Sequence, residues 1–398
     1  MFADVRAKND RGHAMRIAIF ENIMTPGGHE VDFDRILSEE LTALGHDVVF
    51  YVPENFTFAM DYGRPVVRLP KAAVTYTNVR GLARLVATVR RELHRQAWYK
   101  ALYRHAKAGD FDALIVPTST YRYLRALKKS PLRHSPVPVL FILHGINSHE
   151  APKFLRAADA LAGCKNIRPT VLTFGDTIFG ERRTNIRCIF PPTFVPRDLS
   201  ASERATLAQR EPDAPLRIGF FGQYRREKHL ENFLEAYFAG QYTRPVELFV
   251  QGATMHPEDA DDFERIIKKY QDRPGIRFLH KGLIGAEWQR AILGVDALLL
   301  PYSAPRYRYH WGGMLFTAIG FERPVVASDD MNPEVFAAYH IGETFPSGDL
   351  AALQSTLESF INAYDERRET YESELAKAAA AYAPQAFAHR IVEILQEP

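Results

Sequence analysis

The chain has 398 residues, of which 46% are hydrophobic and 25% charged, with a formal net charge of +2. That length exceeds what one ordinary core supports, so two domains of roughly 200 residues are expected. The near-balanced charge excludes a global field for a polyanion and argues against a nucleic-acid partner. Two cysteines, Cys164 and Cys188, are too few for a disulfide scaffold or a cysteine-rich zinc site and fit a reducing cytoplasm. No apolar run approaches the ~18 residues of a membrane-spanning helix.

Residues 1–14 read as a polar leader with no apolar core of a secretory signal. Met15 is a candidate start, because a strand, Arg16–Phe20, begins directly after it. A loop containing Pro26-Gly27-Gly28 leads to a helix with Val31, Phe33, Ile36, Leu37, Leu41 and Leu44 at near-helical period. Gly45 stops that helix, and Asp47–Val52 reads as the next strand. A βαβ unit with short connections implies a parallel sheet. Further strands are expected at Ala113–Val116, Val139–Leu143 and Val171–Phe174.

Between them Val79–Lys107 reads as one long helix. Its apolar stripe, Leu82, Val86, Val89 and Leu93, faces away from Arg84, Arg91 and Arg95, and Trp98, Tyr99, Lys100, Tyr103 and Arg104 follow. This basic-aromatic stretch, residues 79–104, has two readings: a solvated helix packed on its own sheet, or a contact with an anionic membrane surface.

Residues 191–215 are rich in Pro, Ser and charge and mark a boundary. Strand–helix alternation then restarts: Arg217–Phe221, a helix through Leu230–Phe238, Val246–Val250, a helix around Asp259–Tyr270, Ile276–Leu279, Ala297–Leu300 and Pro324–Ala327. From about Leu350 the pattern is helical. The expected organisation is a first α/β domain over 15–200, a second over 201–365, and terminal helices over 366–398 that cross back to the first. Both domains read as doubly wound and Rossmann-like, and ligands in such folds sit at the carboxyl ends of strands, here in the cleft between domains.

Several stretches have the residue types for anion chemistry. In Gly219–Ala236 a strand ends at Gly222, then Gln223, Arg225, Arg226 and Lys228 precede a helix, placing cations and backbone amides where a phosphate would sit. The bland reading is a solvated basic loop. Gly312 and Gly313 open a helix through Met314 and Thr317, so bare backbone can approach an anion there. The bland reading is a packing turn. Asp32-Phe33-Asp34 has the form of a metal-binding motif but lies within a helix. Its two acids point about 200° apart, so no metal is expected there.

These stretches, taken in order, resemble the nucleotide-sugar-binding domain of GT-B-fold glycosyltransferases, specifically the glycosyl transferases group 1 family. The resemblance rests on GFFGQYRREKHLENFLEA, RFLHKGLIGAEWQRAILGVDALLLPYS, GGMLFTAIGFERPVVAS, SDDMNPEV and IGETFPSGDLAALQSTLESF. In the first half, PGGHEVDFDRILSEELTALGHDVVFY is similar to the family's glycine-rich acceptor loop and first helix. Together these cover most of residues 15–365. The resemblance implies a hexosyltransferase acting from the cytoplasm, peripheral on the inner face of the plasma membrane. It implies a donor of the UDP- or GDP-sugar type, a saccharide or lipid-linked acceptor, no further cofactor, and a role in cell-surface polysaccharide or glycoconjugate synthesis.

By the same resemblance, Gly222, Gln223, Arg225, Arg226, Lys228, Lys281, Gly282, Leu283, Tyr309, Gly312, Gly313, Met314 and Thr317 would hold the donor nucleotide. His144 at a strand's carboxyl end would lie near the donor sugar, with His144, Lys228 and Arg226 in catalytic roles. Gly27, Gly28, Glu30, Asp32 and Asp176 would lie on the acceptor side, although Glu30 and Asp32 are also in place to cap their helix.

The chain departs from the family pattern at three places. Gln223 stands where an arginine usually follows the glycine. The family's paired glutamates fall on Tyr309 and Thr317, neither of which is a carboxylate. Two other readings therefore stay open: a degenerate member that binds a nucleotide sugar or a partner, and a GT-B-fold sugar-nucleotide epimerase.

Overall fold

The structure, a computed structural model, describes residues 14–23, 29–74, 81–174, 177–180, 183–209 and 214–398. The first half of the chain forms strands β1 (Arg16–Phe20), β2 (Asp47–Pro53), β3 (Val66–Leu69), β4 (Ala113–Val116), β5 (Val139–Leu143), β6 (Ile167–Leu172) and β7 (Arg187–Ile189). With them run helices α1 (His29–Ala43), α2 (Gly81–Ala108), α3 (Tyr121–Leu127) and α4 (Ala151–Asp159). The second half forms β8 (Leu216–Phe220), β9 (Val246–Gly252), β10 (Ile276–His280), β11 (Ala297–Leu300), β12 (Val325–Ser328) and β13 (Gly342–Phe345). Its helices are α5 (Ala201–Ala208), α6 (Leu230–Ala239), α7 (Pro257–Tyr270), α8 (Gly285–Leu293), α9 (Gly313–Gly320), α10 (Pro333–Ala338) and α11 (Leu350–Asn362). Two terminal helices follow, α12 (Tyr364–Ala381) and α13 (Pro384–Gln396).

Strands such as β4 (ALIV) and β5 (VLFIL) are buried at every position, because a parallel sheet covered on both faces offers no wet side. All strand pairs are parallel. The orders are β3-β2-β1-β4-β5-β6-β7 and β10-β9-β8-β11-β12-β13. In each sheet the winding reverses beside the first strand, between β1 and β4 and between β8 and β11. The crevice at the carboxyl end of such a reversal is where ligands of open α/β sheets bind.

Three edge elements escape the sequence pattern: β3, β7 and β13 are only three or four residues long. Strand β6 starts at Ile167, four residues before the expected start at Val171, and contains Pro169. Proline argues against a central strand, so pattern reading places the strand after it. The stripe Leu82, Val86, Val89 and Leu93 does face away from Arg95, but with the opposite burial to that of a packed helix: the stripe is exposed and Arg95 is 2% exposed. Arg95 pairs with Glu92 at 2.6 Å and stacks 4.3 Å from the Tyr123 ring.

The carboxyl edges of the two sheets meet. Beyond β5, Gly145 forms an antiparallel bridge with His310, Trp311 N donates to His144 O at 2.8 Å, and Ile146 N donates to Tyr309 O at 3.3 Å. Trp311 fills the junction. Its ring lies 4.9 Å from Phe194 in a stack, 5.3 Å from Phe33 and from His144, and 5.6 Å from His29. One buried apolar cluster therefore runs from α1 and β1 through Trp311 into the second sheet.

The terminal helices fasten the two halves from the other side. Helix α12 packs on α9 and α13 on α1. Buried Arg168 of β6 donates to the carbonyls of Ile394 and Glu397 at the end of α13, where the helix dipole favours a cation. Arg187 pairs with Glu397 at 2.5 Å.

Gly145 has φ +137°, and a Cβ there would stand 2.4 Å from His310 Cα. Gly145→Ala is expected to force the junction apart. The predicted outcome is a loss of more than ~2 kcal/mol in stability and a larger radius of gyration in small-angle scattering. An unchanged radius and melting temperature would show that the bridge holds nothing.

Candidate functional site

A cavity of about 490 Å³ opens where the two carboxyl edges face each other. On the side of the second sheet, Gly222 ends the turn after β8 with φ +100°, a conformation glycine adopts without strain. Its amide donates to Gln251 Oε1 at 2.9 Å, and Gln251 Nε2 donates to Lys281 O at 2.5 Å. Buried Gln251 thus ties the loops after β8 and β10 into one wall. The 3-10 turn Arg226–Lys228 then carries Lys228 inward.

Lys228 is the centre of this wall. It is 7% exposed, and its Nζ donates to Tyr302 Oη at 3.2 Å and lies 4.4 Å from the Tyr302 ring. Among the described residues no carboxylate stands within ion-pair distance of it. Burial, then the charges of Arg225 and Arg306, lower its pKa to about 7. Arg225 and Arg306 flank it on the cavity wall, both against Glu227, at 3.7 and 2.5 Å. Tyr302 and Gly222 sit at the ends of β11 and β8, so the cations converge on the winding reversal of this sheet.

Helix α9 begins opposite. The amide of Gly312 is already given to Asn332 Oδ1 at 3.1 Å and that of Gly313 to Trp311 O at 3.0 Å. The lack of a side chain serves approach at Gly312, where a Cβ would stand 2.6 Å from Met331 Sδ; a Cβ on Gly313 would meet His29 Cβ at 3.8 Å, an ordinary contact. The next amides of the first turn, at Met314 and Leu315, have no carbonyl four residues back inside the helix, so they are the donors α9 has for an anion.

The first sheet contributes α1. His29, Glu30 and Asp32 line the cavity, and Glu30 and Asp32 are the carboxylates on its described wall. Burial raises the Asp32 pKa to about 6, against the lowering charges of Arg35, His29 and Arg197. His29 Nε2 lies 2.9 Å from His144 Nδ1, and His144 Nε2 lies 2.9 Å from Pro117 O. A carbonyl only accepts, so His144 carries its proton on Nε2, and His29 Nε2–H donates to His144 Nδ1. Burial first, then His29, hold the His144 pKa well below the usual histidine range, so His144 is neutral. His29 Nδ1 is left at the open end of this pair, 3.8 Å from Glu30 Oε2. Behind α1, burial raises Glu21 to about 8 and raises Asp34 as well, which keeps a proton in that pair.

Placement of the expected residues is uneven. Gly222, Gln223, Arg225, Lys228, Leu283, Gly312, Gly313, Met314 and Thr317 line the cavity with Glu30 and Asp32. Arg226 does not: its guanidinium turns out to Glu258 O at 2.6 Å, so it has no reach into the site. Lys281 is exposed and paired with Glu287 at 2.8 Å, and Gly282 stands off the wall near Ala253. Tyr309 points under Arg308, 5.2 Å away, and gives its carbonyl to the Ile146 amide. Thr317 lines the wall but spends its hydroxyl on Gly313 O at 2.9 Å. His144 sits one layer back, behind His29. Gly27, Gly28 and Asp176 lie outside the described residues. Sequence reading missed His29, Arg306 and His310. Arg306 lies in a stretch, RYRYH, whose cation was legible but whose turn was not.

No protein-family model and no curated protein sequence matches the chain. Solved structures do. Anabaena Alr3699/HepE, crystallised with UDP and glucose, aligns over 96% of this chain and 100% of its own, with 16% identity and a TM-score of 0.68. A glycosyltransferase from Rickettsia africae aligns over 96% and 98% at 12% identity and TM-score 0.69. Sucrose-phosphate synthase from Thermosynechococcus elongatus aligns over 95% and 98% at 16% identity and TM-score 0.66. The chain has the GT-B fold, as its resemblance implied.

Native Lys228 titrates below its unfolded value of 10.5. Between about 7 and 10.5 the unfolded chain binds a proton the native chain refuses, so this residue lowers stability as pH falls through that window and fully below it. Lys228→Met is therefore expected to raise Tm at pH 7, by roughly 2 °C or more, with the gain shrinking toward pH 10. Thermal denaturation across that range checks it. A drop in Tm would mean that Lys228 has a structural partner.

Proposed function

We propose that the chain is a glycosyltransferase that moves a sugar from a nucleoside-diphosphate sugar, of UDP or GDP type, to a saccharide or lipid-linked acceptor. The observation that carries this reading is Lys228, a buried cation with no carboxylate in ion-pair distance among the described residues, flanked by Arg225 and Arg306 and facing the first turn of α9. Such a group costs stability and has no packing reason to be a lysine. A leaving diphosphate supplies the missing negative charge, and its charge grows in the transition state, so these cations stabilise departure more than binding. In this reading the cations offset that charge without a metal ion. The likeness to a protein crystallised with UDP-glucose supports a nucleotide-sugar donor.

The acceptor side is α1. A carboxyl group titrating near 6 in the cleft is matched to take a proton from an acceptor hydroxyl at neutral pH. His29, held by His144, is beside it and orients the same hydroxyl. Carboxylates are absent at 309 and 317, so the donor sugar is met by the cations and α9 alone, and the acids work on the acceptor. This division favours attack by an activated hydroxyl, with inversion. The biological setting we propose, synthesis of a cell-surface polysaccharide or glycoconjugate from the cytoplasmic face of the plasma membrane, rests on the sequence resemblance to the family. A degenerate, binding-only protein would have no selection for an Asp32 poised near 6.

Turnover of UDP- and GDP-sugars with saccharide and lipid-linked acceptors tests the proposal. Lys228→Ala is expected to lower kcat by at least ~10²-fold. In the native enzyme kcat/KM is expected to rise with pH through about 6 as Asp32 ionises; in Asp32→Asn that limb disappears and the rate falls by ~10²–10⁴-fold. Tight nucleotide binding with no turnover for any sugar or acceptor would leave the binding-only reading standing.

A further inference from the structure

Helix α2 is longer than the sheet it covers. Its 28 residues span about 42 Å, whereas the five-residue strand β5 spans about 17 Å. The buried positions of α2 run from Arg95 to Ala106, which matches the sheet. The helix runs antiparallel to the strands, so its first half overruns the carboxyl edge, the edge that forms the cleft.

The overrun is apolar. Leu82, Leu85, Val86, Val89 and Leu93 recur at helical spacing on one face and are 60–81% exposed. Half of the exposed large hydrophobic residues described in the structure are these five. A row of this kind on a soluble surface marks a docking site. Farther along α2 the same face changes character: Lys100, Arg104 and Lys107 fall on the line of the apolar row and are exposed. Helix α3 and the adjoining 3-10 turn, which pack on α2, add exposed Arg122, Arg125, Lys128, Lys129 and Arg133.

Charge identifies the occupant. Residues 81–134 contain 12 Lys and Arg and 3 Asp and Glu. The chain as a whole is at +2, so everything outside this segment is net acidic. Of the three acids, Glu92 is paired to Arg95 and Asp110 to His105. An apolar row that continues into exposed cations, with no ion pair to a carboxylate at Lys100, Arg104 or Lys107 among the described residues, complements a surface that is apolar inside and anionic outside.

We infer that this face of α2 docks on an anionic lipid bilayer, with Leu82–Leu93 sunk at the headgroup boundary and Lys100, Arg104 and Lys107 over the phosphates. Apolar burial and electrostatic attraction add in such binding, and neither alone gives a stable anchor. Docking brings the mouth of the cleft to the membrane. The inference does not use the transferase reading; it rests on the exposed surface alone.

The test is co-sedimentation of the full chain with vesicles of phosphatidylcholine, with and without roughly 30% phosphatidylglycerol. The expected result is binding to the anionic vesicles only, weakened at high salt. Leu85→Asp with Val89→Asp is expected to lower the partition by at least tenfold, and Lys100→Glu with Arg104→Glu to do the same. All four side chains are on the solvent side, so Tm and nucleotide binding should not move. Failure of the native chain to bind anionic vesicles overturns the inference. So does equal binding by the aspartate variant. Sedimentation velocity that shows a native dimer dispersed by that variant would assign the row to a second copy instead.

Discussion

Two parallel sheets can face each other across a cleft only if the gap between their carboxyl edges is fixed. Here the Trp311 junction fixes it. The indole occupies the space between α1, the end of β5 and the linker at Phe194, while Gly145 and His310 bring the two backbones into direct pairing. Everything that gives the site its geometry hangs from that contact. It sets how far Lys228 stands from α1, it places His29 beside Gly313, and it turns the first turn of α9 toward the cations. Gly312 is bare because the junction is crowded, and any anion binding at α9 falls to the amides that follow Gly313.

The chemistry is divided by sheet. The second sheet supplies cations at its winding reversal, and the first supplies a titratable carboxyl on α1 and a histidine pair, His29 of α1 held by His144 after β5. Burial moves both sets in the useful direction. It pulls Lys228 down and pushes Asp32 up, so each changes charge near neutral pH. Structural ion pairs push the other way, as the Glu231 carboxylate beside Arg265 and Lys269 does, held down near 2. Burial shifts of this kind also fall on Glu21 and Asp34 behind α1, so it is the place of Lys228 and Asp32 on the cavity wall that singles them out.

Much of this was legible in the sequence, for identifiable reasons. The central strands are continuous apolar runs and the glycine after β8 breaks one of them, so the architecture and Lys228 stand out. Edge strands β3, β7 and β13 are too short to show a period, and Pro169 disguises the start of β6. Side-chain direction is the other limit. Arg225 and Arg226 are adjacent and indistinguishable in sequence, yet one lines the cleft and the other leaves it for Glu258. The apolar row of α2 has the period of a packed face, and only the length of the sheet beneath it shows that the row has nothing to pack on. Arg306 reaches the same cavity wall as Lys228 from a turn far along the chain that no local pattern connects to it.

In the proposed function Lys228 waits, partly neutral, for a diphosphate. Calorimetric titration with UDP and GDP at pH 8, repeated in two buffers of different ionisation enthalpy, tests it most directly. With Lys228 titrating near 7 in the empty cleft, binding should draw in roughly one proton per nucleotide, and Lys228→Met should abolish that uptake. Binding without proton uptake, or binding that survives Lys228→Met unchanged, would contradict the account.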